Sequence, residues 1–150
     1  MIDVRAAQTR LSALMDAEGL PYGTRTRTYN SRLAQEVAKW AETKPGGEAI
    51  HDALFKAYFV DGRNIGDSAV LVDVARSLGL PADEAADVLR ERRYRSAVDA
   101  DWTRSREYGV TGVPTFVSGG HGVVGAQPYE VLEQLLRQSN APPRIDRDAR

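Results

Sequence analysis

Cysteine is absent from all 150 residues, which removes disulfides, thiolate metal sites and thiol nucleophiles in one stroke. Long apolar runs are missing too: no stretch approaches the ~18 uninterrupted apolar residues of a membrane span. The opening Met1-Ile2-Asp3-Val4-Arg5 has no apolar signal-peptide run, so the expected location is cytoplasmic, without a membrane partner. There is no excess of basic charge either. Twenty Lys+Arg stand against 21 Asp+Glu, a net charge of -1, which argues against a nucleic-acid partner, since such proteins replace phosphate counterions with cations. His51 and His121 are the only histidines, and neither has a second ligand at helical or turn spacing, so no metal and no cofactor is expected. No Gly-x-Ser-x-Gly elbow occurs. The expected set of catalytic residues is empty.

What is present is enough apolar material, 42% of the chain, for one globular domain with one core. Up to about residue 108 the pattern is helical. Val4, Ala7, Leu11, Leu14 and Met15 form a first stripe, closed by Gly19, Pro21 and Gly23. Ser31 is placed to cap a second helix carrying Leu33, Val37, Trp40 and Ala41. A third stripe holds Ile50, Leu54, Tyr58 and Phe59. Asp67 caps a fourth helix with Val70, Leu71, Val74 and Leu78, ending at Gly79. Pro81 opens a fifth through Val88 and Leu89. A sixth uses Tyr94, Val98, Trp102 and Ser105 and stops at Gly109. The stretch Val110 to Val117 is then β-branched and aromatic, Ser118-Gly119-Gly120-His121-Gly122 is a turn, and Val123-Val124-Gly125 returns as a second strand. Gln127-Pro128 launches a last helix with Val131, Leu132, Leu135 and Leu136 inward.

Gly120-His121-Gly122-Val123-Val124-Gly125 matches G-x-G-x-x-G in letters only. The dinucleotide fingerprint needs a helix opening inside it, and no helix begins before Pro128. Arg90, Arg92, Arg93 and Arg95 are spread around a helix and read as a solvated surface. Arg25, Arg27 and Arg32 bracket a loop before a helix, where they either hold a carboxylate or simply decorate the loop. Gly112-Val113-Pro114-Thr115-Phe116 is the most informative word. A proline in a strand pattern removes a ladder donor. It is either a strand-edge proline or a cis Val113-Pro114 bond that turns the Val113 N–H and C=O outward, where they could pair with an extended peptide.

With these words in order, the chain resembles the C-terminal two thirds of a DsbA-family thioredoxin-fold protein of the FrnE-like branch. The resemblance runs through Glu18-Gly19-Leu20-Pro21-Tyr22, Asn30-Ser31-Arg32-Leu33-Ala34 and Leu54-Phe55-Lys56-Ala57-Tyr58-Phe59. It continues through Asp61-Gly62-Arg63-Asn64-Ile65, Leu78-Gly79-Leu80, Gly109 to Phe116, and Gly125-Ala126-Gln127-Pro128. It implies a helical insertion followed by the closing β-β-α unit of a thioredoxin-like fold. It also implies that Val113 and Pro114 form the cis-proline loop that holds substrate backbone, with Thr115 beside them and Asn30 near the same cleft. The family's Cys-x-x-C and its flanking strands would lie before Met1, so the resemblance implies a truncated oxidoreductase relative.

The expectation is therefore an α+β fold, mostly helical: residues 1–108 a helical insertion-type region, 109–139 the thioredoxin-like hairpin and helix, and 140–150 a disordered tail. Thiol–disulfide exchange needs a thiolate, so the chain by itself is expected to be redox-silent. The substrate-binding residues are Val113, Pro114, Thr115 and Asn30, facing an extended peptide or thiol ligand. A two-stranded sheet is marginal alone, so self-association or a strand-donating protein partner is expected. The alternative is a non-enzymatic helical interaction module.

Overall fold

A computed structural model describes residues 4–24 and 26–142 of the chain. Two compact units are distinguished, residues 1–101 and 102–150. The described residues are mostly helical, with a single antiparallel pair of strands, the α+β content expected. No described helix is long and apolar enough to cross a membrane. The expected tail over 140–150 lies, from residue 143 onward, outside the described residues.

The first unit contains α1 (Val4–Ala17), α2 (Arg32–Ala41), α3 (Ile50–Phe55), α4 (Ser68–Ser77) and α5 (Ala82–Glu91), and α6 (Arg95–Glu107) begins in it. Its centre is α2, which packs against α3, α4 and α5. Ala34, Val37, Ala38 and Ala41 recur at helical spacing and are all buried with Trp40, so one face of α2 becomes core. Trp40 can be buried because its indole N–H donates to Glu84 Oε1 at 3.0 Å, leaving no orphan donor. Opposite it stand Ile50 and Leu54 of α3, Leu71 and Val74 of α4, and Ala85, Val88 and Leu89 of α5. Of the first stripe, the Val4 and Ala7 side chains lie outside the described residues, and Leu14 is exposed.

The punctuation of these helices follows local chemistry. Asp67, in extended conformation, caps α4 by accepting the Ala69 N–H at 2.8 Å. Pro81 sits at the N-cap of α5, with Asp83 and Glu84 in the first turn, where carboxylates meet the positive end of the helix dipole. Ser31 does not cap α2 as expected. The side chain that accepts the Arg32 N–H, at 2.8 Å, is Asn30 Oδ1, while the Ser31 hydroxyl takes a bond from Gln35 Nε2. The third stripe also differs from a plain α-helix. After α3 the chain widens into a π-helical turn over Lys56–Val60, with Asp61 N–H donating to the Lys56 carbonyl at 3.0 Å. The apolar stripe ends inside this turn, at Phe59, so no later apolar position exposes the extra residue.

The arginine run is the larger correction. All four side chains are exposed, as expected, but they do not share one helix, because α5 ends at Glu91 and Arg92 takes left-handed backbone, φ 54°. That conformation ordinarily selects glycine, since a side chain there costs about 1–2 kcal/mol. The arginine is held there by a bidentate bond to Glu36, Nε to Oε2 at 2.8 Å and Nη2 to Oε1 at 2.6 Å. Glu36 is 0% exposed. Arg32 Nε reaches the same carboxylate at 3.2 Å, and its Nη2 bonds both Asp99 and the Arg95 carbonyl. A buried carboxylate from α2 thus binds the α5–α6 junction through two guanidiniums.

Arg92 above all, and then Arg32, hold the Glu36 carboxyl below its usual range, against the opposing push of burial. Replacing Glu36 by Gln leaves Arg92 without its anion. The expected loss is about 3 kcal/mol, at the low end for a broken buried pair because Arg92 still reaches solvent. Because the folded-state pKa is depressed, this contribution is complete above the unfolded value near 4.5 and fades as pH falls through the folded value. Urea unfolding of wild type and E36Q should show the gap at neutral pH and its disappearance in acid. A gap independent of pH would contradict the charge pairing.

Candidate functional site

The second unit carries β1 (Thr115–Ser118), β2 (His121–Val124) and α7 (Tyr129–Gln138). The strands pair antiparallel with Thr115 opposite Val124, Phe116 opposite Val123 and Ser118 opposite His121. Only Gly119 and Gly120 connect them, both at positive φ (54° and 81°). That is the mirror-image two-residue turn whose twist suits a hairpin. Gly119 has a second reason to lack a side chain, since a Cβ there would lie 2.6 Å from Ser139 Cβ. α7 packs on both strands, and the Ser118 and Ser139 hydroxyls meet at 2.7 Å.

The register determines where the backbone groups point. Gly125 N–H donates to the Pro114 carbonyl at 2.8 Å, so the bonded rungs are Pro114/Gly125, Phe116/Val123 and Ser118/His121. By the antiparallel alternation, Thr115 and Val117 turn their N–H and C=O away from β2, and Gly122 and Val124 turn theirs away from β1. The Val124 carbonyl is occupied by Gln127 Nε2 at 2.6 Å. β1 has no such cover among the described residues. A thin unit results: Leu135 is its only buried residue among those described, while Trp102, Phe116, Val117, Val124 and Leu136 remain exposed. The expected inward Leu136 is thus corrected, because too little chain lies over it.

Val113, Pro114 and Thr115 stand together where the chain enters β1. The Val113–Pro114 bond is cis. The neighbouring polar groups are engaged: Thr115 Oγ1 donates to the Gly112 carbonyl at 2.6 Å, and the Pro114 carbonyl takes the Gly125 bond. Val113 is 90% exposed, and nothing among the described residues bonds its N–H or C=O. Val113 is also two residues before Thr115, the first of the outward-turned pairs of β1. Asn30 belongs to the first unit, and its side-chain oxygen is spent on the Arg32 N–H. Of the loop arginines, Arg25 lies outside the described residues, and Arg32 serves the chain's own Glu36 and Asp99. His121 is exposed in the hairpin, and no cluster of metal-ligating side chains occurs among the described residues. Gln127 was not singled out in the sequence. Its place directly before Pro128 was the available signal, since a side chain at a helix entrance can turn back onto the preceding strand.

This order of helices, hairpin and closing helix has counterparts among known proteins. The DSBA-like thioredoxin domain model matches residues 3–137, and the chain belongs to that family. A Streptomyces coelicolor structure described as a probable DsbA oxidoreductase superposes with a TM-score of 0.79 at 35% identity, over 93% of this chain and 62% of its own. A Nitrosomonas europaea structure, provisionally classed as a protein disulfide isomerase, shares the fold with a TM-score of 0.66 at 21% identity, over 92% of this chain and 74% of its own. The uncharacterized Bacillus subtilis (strain 168) protein YwbO is 29% identical over 105 residues, 69% of this chain. The chain spans 52% of that relative's length.

The two turn glycines are separable by experiment. Gly120→Ala meets only the left-handed backbone penalty, about 1 kcal/mol. Gly119→Ala adds the clash with Ser139 and should cost about 2–3 kcal/mol. Amide exchange at Phe116 and Val123 should accelerate more in G119A than in G120A; equal acceleration would contradict the α7 contact.

Proposed function

We propose that these residues form the peptide-docking side of a DsbA-like protein, and that the chain by itself is silent in thiol–disulfide exchange. The observation that carries the reading is Val113, a 90% exposed residue whose N–H and C=O have no hydrogen bond among the described residues, beside engaged neighbours. An extended peptide can satisfy its N–H and C=O as one rung of an added strand, with affinity from main-chain bonds and selectivity from apolar contacts. Thr115 supports the loop through its bond to Gly112 rather than presenting its hydroxyl to a ligand. Membership of the family supports the same placement.

The chemistry is a separate matter. Exchange proceeds by thiolate attack on a disulfide sulfur, and none of the 150 residues is cysteine. The exposed apolar residues of the hairpin and the uncovered edge of β1 are where a strand-donating protein or a second copy would associate.

Two measurements test the reading. The purified chain should not accelerate insulin reduction by dithiothreitol, and a rate above the uncatalysed one would overturn the silent state. Titration with alkylated insulin B chain, an extended apolar peptide, should shift and protect the Val113 amide. Val113→Pro, which lacks the N–H, should bind about fivefold more weakly, the worth of one ordinary hydrogen bond. Val113→Ala keeps the N–H and should bind nearly as wild type. Binding that leaves residues 112–115 unperturbed would refute the docking site.

A further inference from the structure

The first unit holds a cavity that the docking loop does not use. It has a volume of about 470 Å³, within the usual range of small-molecule sites, about 300–1,000 Å³. Its walls are mostly apolar, with Ala34 and Ala38 from α2 and Leu54, Tyr58, Phe59 and Ile65, while Ser31 and Gln35 add polar groups. Ala34 and Ala38 are one helical turn apart, and their small side chains leave the space open.

The opposite wall owes its shape to the π-helical turn. That turn carries Tyr58 and Phe59 as consecutive residues, and their rings meet edge-on at 4.8 Å. Such turns recur at functional sites. Two pairs of charged or polar groups stand at the mouth. Lys39 Nζ lies 2.8 Å from Asp101 Oδ2, and His51 Nε2 lies 2.9 Å from Glu42 Oε1. Two carboxylates, one ammonium and one imidazole therefore stand together there.

We propose that this cavity binds a small organic cation, an ammonium group on an aromatic or alkyl body. The apolar body displaces water from between α2 and the aromatic wall. The ammonium meets ring faces, which attract cations once they are desolvated, and the Glu42 carboxylate at the mouth. An organic anion of the same size would bring its charge toward Glu42 and Asp101 and be disfavoured.

Phenethylamine and hydrocinnamate share a phenylethyl body and differ in the sign of the head group. In amide-shift titrations of the full chain, phenethylamine should saturate with shifts centred on Ala34, Ala38 and Tyr58. Hydrocinnamate should bind at least about tenfold more weakly, a difference of about 1.4 kcal/mol. Glu42 is exposed, so Glu42→Gln should fold normally; it should weaken the amine about fivefold and narrow the gap between the two ligands. Ala38→Leu, with helix content checked by circular dichroism, should abolish binding by filling the space. Equal binding of both ligands would overturn the proposal, as would shifts confined to Leu11 and Met15 of α1, or the absence of saturable binding.

Discussion

A carboxylate withdrawn from water cannot stay ionised without partners, and Glu36 is the point at which this constraint organises the helical unit. α2 delivers it in the middle of a buried face, one position before Val37. Arg92 answers it from the α5–α6 junction and Arg32 from α2 itself. The backbone at Arg92 runs left-handed although the residue is not glycine, so a local conformational preference is overridden by a long-range ionic bond. The path of the chain between α5 and α6 is thereby tied to the helix at the centre of the core.

The second unit is built on the opposite principle. It has almost no interior, and what order it has comes from backbone geometry: a two-residue glycine turn, three bonded rungs and one helix laid across both strands. Such a unit leaves main-chain groups open by construction. Gln127 closes one of them on β2, whereas the β1 side, continued by Val113, remains available. The polarity of the hairpin is thus set by one amide side chain as much as by the strands.

Much of this was legible in the sequence because it depends on short-range chemistry. The Asp67 cap, the Pro81 start, the Gly79 and Gly109 stops and a turn within Ser118 to Gly122, which the structure narrows to Gly119-Gly120, are each decided by residues within a few positions. The Val113-Pro114-Thr115 word was readable for the same reason. What escaped depends on partners far along the chain or on what covers a surface. Arg92 looked like one of four solvated arginines because Glu36 lies 56 positions away. Leu136 looked like core because periodicity shows which face is apolar and says nothing of whether anything packs against it. The π-helical turn was invisible since the apolar stripe stops within it, at Phe59, and leaves no later position to show the change of phase.

The pairing of a family fold with a chain free of cysteine becomes intelligible once recognition and reaction are assigned to different kinds of groups. Exchange chemistry belongs to a side chain, a thiolate with a tuned pKa, and no main-chain group can replace it. Docking of an extended peptide belongs to the main chain, through donors and acceptors that every residue but proline carries. Those groups need only be turned outward and kept from internal partners, as the peptide group of Val113 is. On the reading proposed, a chain without a thiolate keeps its docking group, provided the turn, the Pro114–Gly125 rung and the Thr115–Gly112 bond persist. The parts of the hairpin that are most ordered are therefore those that keep one peptide group unpaired.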